Sequence, residues 1–390
     1  MISPFIIKDK NLFLSRFPVA QVNRSLQAWD AADEYLINYI NEQQLITNNT
    51  NLAIFNDSFG ALSCNFCTSD DFNGQVYSIS DSYISQQGML NNLAQNNLDA
   101  SNITLLDSLA ALPESINVIL YKIPKSKSLL TEQLIKIKNS VTSDTVFIAA
   151  DRAKEIHSST LKIFEKYLGT TTTSLAVKKA RLVFCQLNNK QRQQSPFPTL
   201  WQINNPYQDG DSTFSIANHA NVYSREKLDI GARYFIENLP KVKENSQVID
   251  LGCGNGVIGL HVLAQQPSAK VRFFDESYMA INSAQTNITH NLPQLTEQCQ
   301  FQLNDCLAGV DSNSADLILC NPPFHQQTAT TDHIAWQMFN DSFRVLKKGG
   351  ELRIIGNRQL GYHIKLKRIF GNVKLIASND KFVTQSAIKR

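Results

Sequence analysis

The stretch VIDLGCGNGVIG, residues 248–259, decides the fold. An apolar run ending in Asp250 and Leu251 gives way to Gly252, Gly254 and Gly256, and then to a helix-compatible run over 257–266. Glycines so spaced let a turn take positive φ and let a ligand approach bare backbone. Strand, glycine turn and helix in that order open a Rossmann-like α/β domain, and Gly254, Gly256 and Gly259 fit the dinucleotide pattern G-x-G-x-x-G. On the glycines alone, NAD remains open as a ligand. Asp250 points elsewhere, because a carboxylate at the strand end suits a cationic amino-acid moiety better than a pyrophosphate seeking a bare helix N-terminus. Asp275 lies nineteen residues after Gly256, at the end of the next strand, where a carboxylate can hold ribose hydroxyls. Together these residues predict a nucleoside-binding site.

Around this stretch the second half alternates strands and helices. Strands are expected over 246–251, 270–274, 299–303, 315–320 and 350–355, with 373–378 as an edge strand. Such alternation implies a mostly parallel sheet covered on both faces. The D-x-G-x-G-x-G arrangement at a first strand is the AdoMet-binding signature of class I methyltransferases. In that setting Asp305, after the third strand, lies near the adenine, although a helix N-cap would use an Asp there equally well. Asp229, ahead of the first strand, either floors the pocket or caps a helix. Asn321-Pro322-Pro323-Phe324 follows the strand 315–320 and takes the chain out of the sheet, since a strand interior does not accept two prolines. The stiff loop leaves the Asn321 amide oxygen and the Pro322 carbonyl as fixed acceptors for an exocyclic NH2 group. Phe324 offers a stacking face for a base. Pro323 and His325 are candidate substrate contacts.

The first half repeats the plan with different chemistry. Leu52–Phe55 precedes NDSFGAL (56–62), which aligns with GCGNGVI (252–258) and keeps only the last glycine. Val76–Tyr83 resembles Val271–Tyr278, Val118–Pro124 resembles Leu317–Pro323, and 146–157 resembles 352–363. Four landmarks in order predict a duplication: two tandem Rossmann-like class I methyltransferase domains, the first degenerate. Lys122 stands where the second copy has Asn321, so the first copy is expected to bind no AdoMet and to hold RNA phosphates through Lys122, Lys125 and Lys127. The Asn-, Gln- and Pro-rich segment 191–210 reads as a linker between a degenerate domain, 1–190, and a catalytic domain, 211–390.

Composition bounds the rest. With 37 basic against 34 acidic residues the net charge is +3, so any nucleic-acid site is a local patch and not a basic coat. A further basic cluster combines Arg358, Lys365, Lys367 and Arg368. Seven scattered cysteines fit reduced thiols, Cys64-x-x-Cys67 reads as core and not redox, and no metal-ligand spacing occurs, so no metal is expected. Neither a membrane-spanning run nor a signal peptide is evident, and a cytoplasmic protein is expected.

With these residues in view, the chain resembles the RsmC/RlmG family of bacterial ribosomal RNA guanine-N2 methyltransferases. The resemblance rests on FPVAQVNRSLQAWDAADEYL (17–36), NDSFGALSC (56–64), KIPKS (122–126), HANVYSREKLDIGARYF (219–235), DLGCGNGVIGL (250–260) and CNPPFHQQ (320–327). The segments NPPFHQQ and DHIAWQMF (332–339) look closer to the large-subunit branch than to the small-subunit one. The resemblance implies AdoMet-dependent methylation of N2 of one guanosine in 23S rRNA. No membrane partner is expected, and the sequence does not fix the oligomeric state, of which a monomer is favoured. A small-subunit guanosine, a protein glutamine amide and a non-catalytic RNA-binding role are the alternatives.

Overall fold

The computed structural model describes residues 4–7, 10–18, 27–66, 73–188, 192–208, 210–323 and 329–390. The chain divides into two compact units, Met1–Pro196 and Phe197–Arg390. Unit 1 opens with a hairpin, β1 (Pro4–Ile7) and β2 (Lys10–Phe13), followed by α1 (Ala31–Glu42). It continues with β3 (Leu52–Phe55), α2 (Ala61–Phe66), β4 (Val76–Ser80), α3 (Tyr83–Gln95), β5 (Ile103–Asp107) and β6 (Val118–Lys122). Then come α4 (Lys127–Ser140), β7 (Val146–Arg152), α5 (Ser158–Tyr167), β8 (Thr171–Thr173) and β9 (Ala180–Cys185).

Unit 2 runs through the same order. A hairpin, β10 (Thr199–Asn204) and β11 (Thr213–Asn218), precedes α6 (Ile230–Glu237), β12 (Gln247–Leu251), α7 (Val257–Gln265), β13 (Lys270–Asp275), α8 (Tyr278–Asn291) and β14 (Cys299–Leu303). It closes with β15 (Ala315–Cys320), α9 (Ala329–Val345), β16 (Leu346–Asn357), α10 (Tyr362–Phe370), β17 (Lys374–Ser378) and β18 (Phe382–Ile388). The sheets are β5-β4-β3-β6-β7-β9-β8 and β14-β13-β12-β15-β16-β18-β17, one strand order used twice. In each, five parallel strands are extended by an antiparallel pair. The central strands are buried on both sides, so Val248 and Leu319 enter one core and Ile249, Leu251 and Ile318 the other.

Two features differ from the sequence expectation. The segment read as a linker contains β10, whose partner is β11 across 199–218. Its alternation of half-buried Thr199, Trp201 and Ile203 with exposed neighbours is the mark of a half-covered strand, hidden in composition by the surrounding Asn and Gln. β18 was not foreseen either; it lies between β16 and the edge strand β17.

Backbone register fixes how the copies correspond. Leu251 pairs with Cys320 and Phe55 with Tyr121, so Lys122 occupies the position of Asn321. By the same register Ile54 replaces Asp250 and Ser80 replaces Asp275. Asn56 keeps the left-handed backbone of Gly252, with φ of +59° against +71°. Its side chain donates to the Lys122 carbonyl (2.9 Å) and to Gln133 Oε1 (3.0 Å), whereas a Cβ at Gly252 would lie 3.2 Å from Met338 Cε. Tyr121 donates its hydroxyl to the same Gln133 oxygen at 2.7 Å.

Lys122 corrects an expectation. Its ammonium lies 2.8 Å from Asp30 Oδ1 and 2.6 Å from Asp33 Oδ1, and 15% of the side chain is exposed. These carboxylates raise the Lys122 pKa despite burial. Lys122 is therefore an internal counter-ion and not a phosphate contact; Lys125 and Lys127 are exposed. Removing one partner of a buried ion pair leaves the other charge uncompensated. Lys122→Ala should thus lower unfolding free energy by about 3 kcal/mol in urea melts, whereas Lys125→Ala should stay within about 0.5 kcal/mol.

Candidate active site

The glycine turn sits at the C-terminal end of β12, the strand flanked by β13 and β15. Gly252 and Cys253 both donate to the Phe274 carbonyl, at 2.8 and 3.0 Å. Gly256 has φ +74°, and a Cβ there would fall 2.8 Å from the Ala284 Cβ, so helix packing as well as conformation requires glycine. At Gly254, φ +54°, a Cβ would meet nothing within 4 Å. The two glycines thus serve different ends: Gly256 lets helices pack, and Gly254 leaves open ground in front of the backbone.

Carboxylates frame that ground. Asp250 is buried, accepts from the Gly259 amide at 2.9 Å, and braces the start of α7. Burial, helped by the nearby negative Asp275, pushes its pKa up to about 8. Asp275 accepts from Gly254 N at 2.9 Å and Ser277 N at 3.0 Å, and burial raises its pKa too. With Glu276 it has three backbone donors, and a carboxylate offers about four acceptor positions, which leaves capacity for a ribose hydroxyl. Asp305 is buried after β14, in a turn where Ala308 N donates to its backbone carbonyl at 3.0 Å. Asp229 caps α6, accepting from Ala232 N at 3.0 Å, so of its two sequence readings the helix cap is realised. Asp30 caps α1 in the same way and touches Lys122, the counterpart of Asn321. By that correspondence the α6 cap belongs to the same sheet edge as Asn321.

Asn321 begins the loop after β15. Its Oδ1 is buried and has no hydrogen-bond partner among the described residues. Pro322 is buried and Pro323 exposed. Phe324 and His325 lie outside the described residues, as does Cys67. Asn357, at the end of neighbouring β16, has a second buried and unpartnered amide oxygen. Cys253, Cys306 and Cys320 line this region, and burial raises their thiol pKa values well above the ordinary one, which favours the thiol over the thiolate. Among the described residues no three metal-ligating side chains gather, and no helix is long and apolar enough to cross a membrane.

Sequence reading missed the residues that hold the turn in place. Asn287 on α8 donates to the Asn255 carbonyl (2.9 Å) and exchanges two bonds with Ala217 of β11. One turn on, Asn291 does the same with Ser215. In unit 1, Asn92 grips Ser15 and the Phe59 carbonyl, and Asn96 grips Phe13. An N-x-x-x-N pair on each third helix, 92/96 and 287/291, was the available signal.

An open glycine turn, flanking buried acids that favour a cationic ligand, and this strand order define an AdoMet-dependent class I methyltransferase joined to an altered copy of itself. Residues 3–189 match the RLMG N-terminal domain and residues 213–385 the methyltransferase small domain. The chain is 71% identical to ribosomal RNA large subunit methyltransferase G of Colwellia psychrerythraea over 100% of both chains. It is 50% identical to that of Pseudoalteromonas translucida over 98% of this chain and 97% of the relative. The chain belongs to the ribosomal RNA large subunit methyltransferase G family. The T. thermophilus 16S rRNA N2 methyltransferase RsmC, solved with AdoMet and guanosine, shares the fold: TM-score 0.76, 18% identity, 100% of this chain and 98% of that one.

The raised Asp250 pKa gives a pH dependence. An unfolded Asp titrates near pH ~4, so between there and pH 8 the folded chain alone keeps this proton. Its contribution to stability therefore falls as pH rises through that window. Asp250→Asn should flatten this decline and exceed the ligand-free wild type by about 4 kcal/mol at pH 8.5 relative to pH 5, read from thermal melts at both pH values. Calorimetry should count one AdoMet per chain.

Proposed function

We propose that the chain transfers a methyl group from AdoMet to the exocyclic N2 amino group of a guanosine in 23S ribosomal RNA, in the cytoplasm. The Asn321 amide oxygen, buried without a partner at the edge where α/β sites form, carries this reading. An unanswered buried acceptor costs about 1–3 kcal/mol, and a ligand N–H offsets that cost. The relatives' large-subunit designation supports 23S RNA as substrate. The N2 specificity of the structurally similar RsmC supports the amino group chosen.

The N2 lone pair of guanine is delocalised into the ring and weakly nucleophilic. Asn321 Oδ1 and the Pro322 carbonyl would each accept one amino proton, pyramidalising the nitrogen and turning its lone pair out of the ring plane. AdoMet, when bound, supplies an electrophilic methyl group on a cationic sulfur. Asp250 complements the cationic amino-acid moiety, Asp275 accepts from the ribose hydroxyls, and the backbone at Gly252 and Gly254 admits the ligand. Phe324 is assigned the stacking face for the base, with Pro323 and His325 beside it, and Asp305 the adenine amino group. Rate enhancement on this reading is orientation and desolvation, without a thiolate nucleophile.

Asn321→Ala should reduce methyl transfer to deproteinised rRNA by a factor of about 10² or more and leave AdoMet affinity within a few-fold. Transfer of radiolabel from AdoMet measures the first and calorimetry the second. Near-normal turnover in the variant, or label appearing in protein and not in RNA, would overturn the assignment.

A further inference from the structure

The catalytic unit carries a charge imbalance that the other copy of its fold lacks. From Leu352 to Asn379 there are six basic residues, Arg353, Arg358, Lys365, Lys367, Arg368 and Lys374, and no Asp or Glu. Arg353 is buried and paired with Glu351 just ahead of the run, and Asp380 follows the run, which leaves five basic residues without an acid between them. Register equates Leu352 with Phe147, and the matching course of unit 1 carries Asp151, Glu155 and Glu165 among its basic residues. Both courses build strand, helix and an antiparallel strand pair. The scaffold therefore tolerates acids at these places, and their absence from unit 2 calls for another cause.

Packing turns the imbalance into a face. Tyr362, Leu366 and Phe370 of α10 are buried; Tyr362 meets Phe339 edge-on at 5.3 Å and Phe370 meets Phe343 at 5.1 Å. The opposite side of α10 then presents His363, Ile364, Lys367 and Arg368 to solvent, with Ile364 66% exposed. The Arg368 guanidinium lies over the Trp336 ring of α9, 5.2 Å from its centroid. Among the described residues no carboxylate pairs with Arg358, Lys367 or Arg368. The face begins near the reaction centre, because Arg358 directly follows β16 and β16 pairs with the strand leading to Asn321.

Cations set beside a flat aromatic–guanidinium pair and an exposed aliphatic side chain are the chemistry that binds single-stranded RNA through phosphates and stacked bases. An acidic protein surface would use the charges but not the planar pair. We propose that this face of α9 and α10, with Arg358, Lys367, Arg368 and Trp336 at its centre, carries the RNA strand flanking the methylated nucleotide. The assignment rests on the RNA reading above and replaces Lys122 as the source of phosphate contacts.

The test compares the full-length wild type with an Arg358→Ala/Lys367→Ala/Arg368→Ala variant on deproteinised large-subunit rRNA. AdoMet affinity and the melting curve should be unchanged, because none of the three side chains is buried. RNA affinity should fall about 10-fold or more near 0.1 M salt, and the slope of log affinity against log salt should become shallower by about 2, at ~0.7 per lost single-strand phosphate contact. Lys241→Ala/Lys243→Ala, ahead of β12 and so at the opposite edge of the sheet, should leave both quantities unchanged. A folded triple variant with wild-type affinity and salt slope overturns this surface while wild-type RNA methylation still stands. Failure of the wild type itself to methylate RNA overturns the functional reading first.

Discussion

Both units hang on one backbone constraint: the residue leaving the first parallel strand must enter the left-handed region. Only that conformation brings the chain back above the sheet and starts the following helix in register. In unit 2 the residue is Gly252, whose amide donates to Phe274 O at 2.8 Å; in unit 1 it is Asn56, donating to Ile79 O at 2.9 Å. Asparagine is among the few side chains that accept positive φ at modest cost. The fold could therefore lose this glycine and survive. What it could not keep was the bare backbone, because the Asn56 side chain bonds across the turn to the Lys122 carbonyl and Gln133.

The copies then diverge in how they answer buried polarity. Unit 1 satisfies it internally: Asn56, Gln133 and Tyr121 bond to one another, and Lys122 sits between Asp30 and Asp33. Unit 2 keeps an amide oxygen unanswered at Asn321 and buries Asp250 with its pKa near 8. Burying a carboxylate without a cation, or an acceptor without a donor, sacrifices stability. A ligand that supplied the missing partner would relieve that cost, and at the ends of the central strands the two units thus differ in how their polar groups are answered.

Much of this was legible in residue order. The run 248–259 foretold strand, turn and helix, and Asn321-Pro322-Pro323 foretold an exit from the sheet. The duplication was readable from four landmarks. Three things were not. β10 lies in a segment whose Asn and Gln residues read as linker, because pairing with β11 and covering by α8 are long-range events that composition does not record. β18 mixes Thr, Gln and Ser with apolar residues, and only its place between two strands buries them. The fate of Lys122 depended on Asp30 and Asp33, about ninety positions away along the chain. A lysine at a strand end is a surface cation until the fold brings acids to it.

The paired asparagines of α3 and α8 show why the duplication endured so faithfully in shape while its chemistry drifted. Asn92 and Asn287 each join a hairpin strand to the carbonyl of a turn residue, Phe59 or Asn255, and each is almost fully buried. A buried amide satisfying three backbone groups at once cannot be replaced singly without leaving several unpaired. The turn is thus clamped from its far side, independently of what its near side binds. Strand order and turn geometry match between the units although Ile54 and Ser80 stand in unit 1 where unit 2 has Asp250 and Asp275. A scaffold fixed by backbone-directed side chains leaves its C-terminal edge free to differ, and there unit 1 places the ion-paired Lys122 where unit 2 has the unpartnered Asn321 amide oxygen.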